Sequence, residues 1–184
     1  MNFELQPTGL KNEFVVLVPL QHEDFERLYK VASDPLIWEQ HPNKNRYQRE
    51  VFETYFEGAM ESGGAFLVMD AGTGEPIGSS RYCDHNSDKR TIEIGYTFLA
   101  KDHWGTVYNR ALKTLMLDHA FTFVDSVIFH IGANNIRSQK AIEKLGAKKI
   151  NETIMKYYGE KDVLNYTYRI NKEDWEQIKL TPAK

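Results

Sequence analysis

Thr91-Ile92-Glu93-Ile94-Gly95-Tyr96-Thr97-Phe98-Leu99, followed after Ala100 to His103 by Trp104-Gly105-Thr106-Val107-Tyr108-Asn109, is the stretch that decides the fold. In its first half Ile92, Ile94, Tyr96 and Phe98 alternate with Thr91, Glu93, Gly95 and Thr97. That period of two predicts a strand over 90–99 with one apolar face and a second face on which Glu93 is the lone carboxylate. In its second half Tyr108, Leu112, Leu115, Met116, His119, Ala120 and Phe123 fall at helical spacing and predict a helix over 104–124 with one buried stripe. A strand thus feeds a helix directly, and the first amides of that helix have no partner of their own.

Upstream, 65–70 and 76–84 read as strands separated from each other and from 90–99 by Gly72-Thr73-Gly74 and Asn86-Ser87-Asp88-Lys89, so the three form an antiparallel meander. Before them stand a β-branched run over 14–19, a helix over 22–33, and a helix over 47–60 that Gly63-Gly64 terminates. Downstream come a strand over 126–131, a helix over 135–145 closed by Gly146, strands over 148–157 and 163–170, and a short helix from Lys172. The expected class is α/β of the mixed α+β kind, with a mixed, mostly antiparallel sheet flanked by helices. The ligand site is expected where the strand-helix-strand-helix crossover meets the meander. No repeat or linker divides the chain, and 184 residues is the size of one domain, so one domain over 1–184 is expected.

A net charge of -3 gives no footprint for nucleic acid. No apolar run reaches the ~18 residues of a membrane span, and the first residues lack the pattern of a signal peptide, so no membrane partner and a cytoplasmic location are expected. One cysteine, Cys83, cannot close an internal disulfide. The six histidines show no paired metal spacing, and no metal is expected. Cys83 and His85 share a strand face and could be read as nucleophile and base, but no orienting group or oxyanion signature accompanies them. Tyr157, Tyr158, Tyr166 and Tyr168 lie on the last two strands, where β-propensity explains them, although one could line an acceptor cleft.

Two segments carry a family resemblance. Glu93-Ile94-Gly95-Tyr96 leading into Trp104-Gly105-Thr106-Val107-Tyr108-Asn109, and Asn135-Ile136-Arg137-Ser138 leading into Glu143-Lys144-Leu145-Gly146-Ala147, resemble the acetyl-CoA core of the GNAT superfamily of N-acetyltransferases. Asp24, Asp34-Pro35-Leu36-Ile37-Trp38 and Glu173-Asp174-Trp175 are similar to the branch that acetylates ribosomal-protein N-termini, of which RimJ and RimL are the types. The resemblance implies a GNAT-like sheet and transfer of acetyl from acetyl-CoA to a primary amine without a covalent enzyme intermediate. It also implies cofactor contacts from Phe98, Leu99, His103, Trp104, Gly105, Thr106, Val107, Tyr108, Asn109, Asn135 and Ser138. The family's loop reads Gln/Arg-x-x-Gly-x-Gly/Ala, and Trp104, Val107 and Asn109 stand at its three defined outer positions.

The residues themselves support parts of this. Gly105 before a helix lets backbone approach a pyrophosphate, which the free amides and the helix dipole then hold, although a plain helix start reads the same way. Asn135 is a good N-cap, and by resemblance its side chain meets the pantetheine arm while Ser138 lies near the thioester sulfur. Family members place a tyrosine acid where Ile142 stands; isoleucine donates no proton, so Ser138, another group, or unaided departure of the thiolate must serve. Glu93 is the candidate base, acting through a water, with an exposed strand carboxylate as the other reading; strand amides near Thr97 or Phe98 would polarise the carbonyl. An α-amine of pKa about 7.8 is roughly 10–15% neutral at pH 7, and a lysine amine near 10.4 only about 0.04%. A single base therefore fits a protein or peptide N-terminus better than a lysine. A small-molecule amine and a non-catalytic acyl-CoA-binding module are the alternatives, and a homodimer is left open.

Overall fold

Alternation along Ala65–Asp70 sends Ala65 and Leu67 to one side of the sheet and Phe66 and Val68 to the other, and each pair joins a different core cluster. The computed structural model that reveals this describes residues 3–156 and 162–180. Its strands are β1 (Val15–Pro19), β2 (Ala65–Asp70), β3 (Pro76–Asn86), β4 (Thr91–Leu99), β5 (Ser126–Gly132), β6 (Lys148–Lys156) and β7 (Asp162–Asn171). They form one sheet in the order β1-β2-β3-β4-β5-β7-β6. All pairings are antiparallel except β4 with β5. The mixed, mostly antiparallel sheet flanked by helices is the one the sequence leads one to expect.

The helices are α1 (Phe25–Ala32), α2 (Arg49–Glu61), α3 (Tyr108–Ala120), α4 (Ile136–Glu143) and α5 (Lys172–Leu180). One core packs Leu112, Met116 and Trp175 against Ile92, Ile94 and Val127, on the side of α3 and α5. The other packs Leu28, Phe52, Tyr55 and Phe56 against Leu67 and Phe98, on the side of α1 and α2. Among the described residues no helix is long and apolar enough to cross a membrane.

Two expectations need correction. The helix expected over 104–124 begins only at Tyr108, because Lys101–His103 form a separate 3-10 turn and Gly105 has a φ of 69° that no right-handed helix contains. The simple alternation expected along 90–99 fails in its middle. The register against β3 slips between Ser79 and Arg81, and Tyr96 takes a φ of 53°, which is a β-bulge. Ile92 and Ile94 therefore face α3, whereas Tyr96 and Phe98 belong to the opposite core. Tyr157 and Tyr158 lie outside the described residues.

Candidate functional site

The parallel pairing of β4 with β5 lasts only three steps, Thr91 with Ser126, Ile92 with Val127 and Glu93 with Ile128. Beyond it β4 stays with β3 and β5 with β7, so the two strands part and a cleft opens through the sheet. The cleft holds two adjoining cavities of about 120 and 140 Å³. Trp38, His41, Thr97, Asn109, Asn135 and Ser138 line both.

At the fork of the cleft stands Glu93. It is 6% exposed, not the open strand carboxylate that one sequence reading allows, and its Oε2 lies 2.8 Å from His130 Nδ1. Gly95 makes this possible: a Cβ there would come 2.9 Å from Glu93 Oε1. The space that glycine leaves is filled by the glutamate itself rather than opened to a ligand. Burial raises the Glu93 carboxyl, and the imidazole of His130 opposes that rise. The hydrogen bond to Glu93 raises His130 in turn, against its own burial. The sequence reading dismissed His130 with the other histidines. Its signal lies in the strand register, since His130 is two residues past the partner of Glu93 and so shares its face.

The wall facing this pair comes from the segment between α1 and α2. It brings Trp38, His41 and Arg46 to the inner cavity. Burial and the neighbouring Arg46 hold His41 well below the usual histidine range, so it is neutral, and its Nδ1 accepts from the Asn43 amide at 2.9 Å. The same segment is tied to α4: Gln40 Oε1 accepts from the Arg137 amide at 3.0 Å, and Glu39 pairs with the Arg137 guanidinium.

The outer cavity collects eight of the residues expected at a cofactor: Phe98, Leu99, His103, Trp104, Gly105, Asn109, Asn135 and Ser138. Thr106, Val107 and Tyr108 do not line it. Val107 is half exposed at the very start of α3, where the Tyr108 amide donates to Thr106 Oγ1 at 3.4 Å. The Tyr108 hydroxyl turns away to donate to Asp70 Oδ2, and the ring meets His103 edge-on at 4.4 Å between centroids. Trp104 donates from Nε1 to Leu99 O at 2.9 Å, and the Arg137 guanidinium lies 3.8 Å from its ring centroid. Asn135 caps α4 as its residue type promises, its side chain accepting from the Ser138 amide at 3.2 Å. Ser138 and Ile142, one turn apart, both line the inner cavity.

Other candidates fall elsewhere. Burial drives the Cys83 thiol far up, which leaves it protonated and a poor nucleophile, and His85 packs its ring against Phe3. The ligand atoms of Cys83, Asp84 and Glu93 lie within 4.8 Å of one another. Tyr168 donates to Glu143 Oε1 at 3.1 Å, and Tyr166 carries the Lys149 ammonium 3.2 Å from its ring centroid.

Lys113, like Arg46, lines the cleft and went unread in the sequence. Lys113 of α3 is 2% exposed, lines the inner cavity, and donates from Nζ to Ser80 Oγ at 3.3 Å and to Thr97 Oγ1. Its spacing to Met116, Leu117 and Ala120 places it inside the buried stripe, a legible but unusual position for lysine. Burial pushes its amine down to about 7.

The family model described as the acetyltransferase (GNAT) domain matches residues 15–148. Among solved structures, a GCN5-related N-acetyltransferase from Brucella melitensis is similar at 17% identity, with a TM-score of 0.79, 92% of this chain and 81% of that one being covered. A spermidine N-acetyltransferase from Vibrio cholerae, in complex with CoA and spermine, gives 17% identity, a TM-score of 0.68, and coverage of 90% and 99%. RimJ of Mycobacterium smegmatis, in complex with CoA-disulfide, gives 17%, 0.67, and 87% and 83%. No curated protein matches.

Two measurements check the electrostatics. In an NMR titration His130 should titrate above the ordinary 6.5 in the native chain and fall below it in Glu93→Gln, where burial acts without its carboxylate. For Lys113, the native amine binds its proton more weakly than the unfolded one. Between the two pKa values only the unfolded chain is protonated, so native stability rises with pH. Lys113→Met removes that dependence. The variant should be the more stable at pH 7 by denaturant unfolding, and its advantage should shrink by about 1.4 kcal/mol per pH unit between about pH 8 and 9.5. A constant difference would contradict a buried amine held without a carboxylate partner.

The fold, the cleft and the match over most of its length place this chain in the GNAT family as an acetyl-CoA-dependent N-acetyltransferase.

Proposed function

We propose that the chain, acting as one catalytic domain, transfers acetyl from acetyl-CoA directly to the α-amine of a peptide or protein N-terminus. The observation that carries this reading is the Glu93–His130 pair at the fork of a cleft whose outer end reaches Gly105 and Asn109 at the start of α3. In this reading the α3 amides and dipole hold the pyrophosphate, with Gly105 supplying the positive φ of the approach. Asn135 and Ser138 line the path of the pantetheine arm.

The amine enters along Trp38, His41 and Arg46 and meets the Glu93–His130 pair, which takes its proton as nitrogen bonds to the thioester carbonyl carbon. The C–S bond then breaks with its electron pair on sulfur. Ser138, which lines both cavities, is the hydroxyl assigned to protonate that sulfur, since Ile142 cannot. A thiolate of pKa about 8.5 also leaves tolerably unaided.

The charges along the inner cavity favour a simple amine over a polyamine. Its lining includes Arg46 and Lys113 against one carboxylate, Glu93. A chain of several ammonium groups gains little there, whereas an α-amine, already partly neutral, needs only one base. RimJ and the spermidine enzyme are equally remote in sequence, so the choice rests on these side chains.

Release of free CoA with a panel of N-terminal peptides, against spermidine and lysine, tests the acceptor: peptides should be preferred, and a clear preference for spermidine would overturn it. Glu93→Gln should lower kcat at pH 7 by about 10²-fold while acetyl-CoA binding persists. In the native enzyme kcat/KM should rise with pH through the raised pKa of the pair, because only the deprotonated pair accepts a proton. Near-normal turnover of Glu93→Gln at pH 7 would remove the pair from the chemistry.

A further inference from the structure

The proposed transfer engages the Asn135 and Ser138 end of the inner cavity and the Trp38 to Arg46 side with Glu93 and His130. On the α3 side the cavity is lined by Lys113, whose ammonium lies beside Thr97 Oγ1 and 5.9 Å from the Phe129 ring centroid. Lys113 stands one helical turn beyond Asn109, which also lines the cavity, and so about 6 Å deeper along α3 from the end assigned to the phosphates. In the proposed reading of the cleft, the acyl chain of a bound thioester ends at this wall.

An acetyl group offers that wall only a methyl, for which leucine or methionine would serve without the cost of burying an amine. An ammonium has three N–H donors. The hydroxyls of Ser80 and Thr97 take two of them, and among the described residues no carboxylate is paired with the amine. The third donor and the charge are what an anion on the acyl chain would satisfy.

We propose that the cleft also accepts coenzyme A thioesters whose short acyl chain ends in a carboxylate, the malonyl and succinyl class, with the Lys113 ammonium as the partner of that carboxylate and the Thr97 hydroxyl beside it. The proposal rests on the reading of the cleft as the thioester's site. The transfer balances as for acetyl. The amine nitrogen bonds to the carbonyl carbon, sulfur leaves with the C–S electron pair, and the amine proton goes to the Glu93–His130 pair. The product amide keeps the distal carboxylate, and nothing is oxidised or reduced. Contact with a carboxylate reverses the downward push that burial alone exerts on Lys113, so the bound donor stabilises the charged amine. An uncharged chain of the same length leaves that amine desolvated against a methyl.

Calorimetric titration of the full chain without acceptor, using succinyl-CoA, butyryl-CoA and acetyl-CoA, tests this. Butyryl matches succinyl in chain length and lacks its charge. The native chain should bind succinyl-CoA roughly tenfold or more tightly than butyryl-CoA. Lys113→Met should abolish that preference, and Lys113→Arg should retain part of it. Equal or inverted affinities in the native chain overturn the proposal, whatever the variants do. So does a folded Lys113→Met chain that weakens succinyl-CoA and acetyl-CoA by the same factor, which would place Lys113 at the carbonyl instead. Failure to bind any of the three thioesters overturns the reading of the cleft itself.

Discussion

The structure turns on the place where β4 and β5 stop pairing. Up to Glu93 and Ile128 the two strands satisfy each other's backbone groups, and beyond that step the facing edges of β4 and β5 have none of each other's. Buried N–H and C=O groups need partners, so an opened edge within a sheet is stable only where something else supplies them. The amides of a pantetheine arm are such groups. The bulge at Tyr96 helps to part the strands by bending β4 and raising its twist. Every other part of the site is placed by this fork: Glu93 and His130 at its apex, α3 and α4 along its outer flanks, and the segment between α1 and α2 across its mouth.

Charge is concentrated where the strands part. Glu93, Arg46, Arg81 and Lys113 are all buried, on a chain whose other charged groups lie mostly at the surface. Arg81 lies 3.8 Å from the centroid of Tyr96 and donates to Gly58 O at 2.7 Å, so it ties α2 to the bulge. Its burial is a matter of architecture. Glu93 and Lys113 also bond across elements, to His130 and to Ser80 and Thr97, but both line the cleft, and a titratable group kept from water in a cleft is a mark of chemistry. They approach the cleft from opposite faces of the sheet, because the bulge turns Thr97, the partner of Lys113, away from the face of Glu93. In the proposed reading, a thioester lying in the fork is reached from one side by the amine and its base, and from the other by a cation.

Much of the fold was legible in the sequence because period and punctuation act locally. The alternation of Ala65–Asp70, the stripe along Leu112, Met116 and Ala120, and the cap at Asn135 all declare themselves within a few residues. What escaped was non-local or broke a period. A bulge at Tyr96 requires knowing that Ser79 faces Phe98 while Arg81 faces Gly95. His130 could be joined to Glu93 only through the register of two strands that lie more than thirty positions apart in sequence. That the space beside Gly95 goes to the Glu93 carboxylate was not legible, since sequence cannot tell whose atoms will fill it. Lys113 was visible as a charge inside an apolar stripe and was passed over, although a break in a helical pattern is where a functional residue is expected.

The central claim is that the parted strands hold the thioester and its acceptor. Hydrogen exchange with and without acetyl-CoA tests it most directly, because the arm and phosphates must cover the amides they bond. The account predicts slowed exchange confined to residues 94–99, 104–110 and 135–142, with β1, β2 and α5 unchanged. Protection that spares all three segments while acetyl-CoA binds, or that centres on another surface, would contradict it.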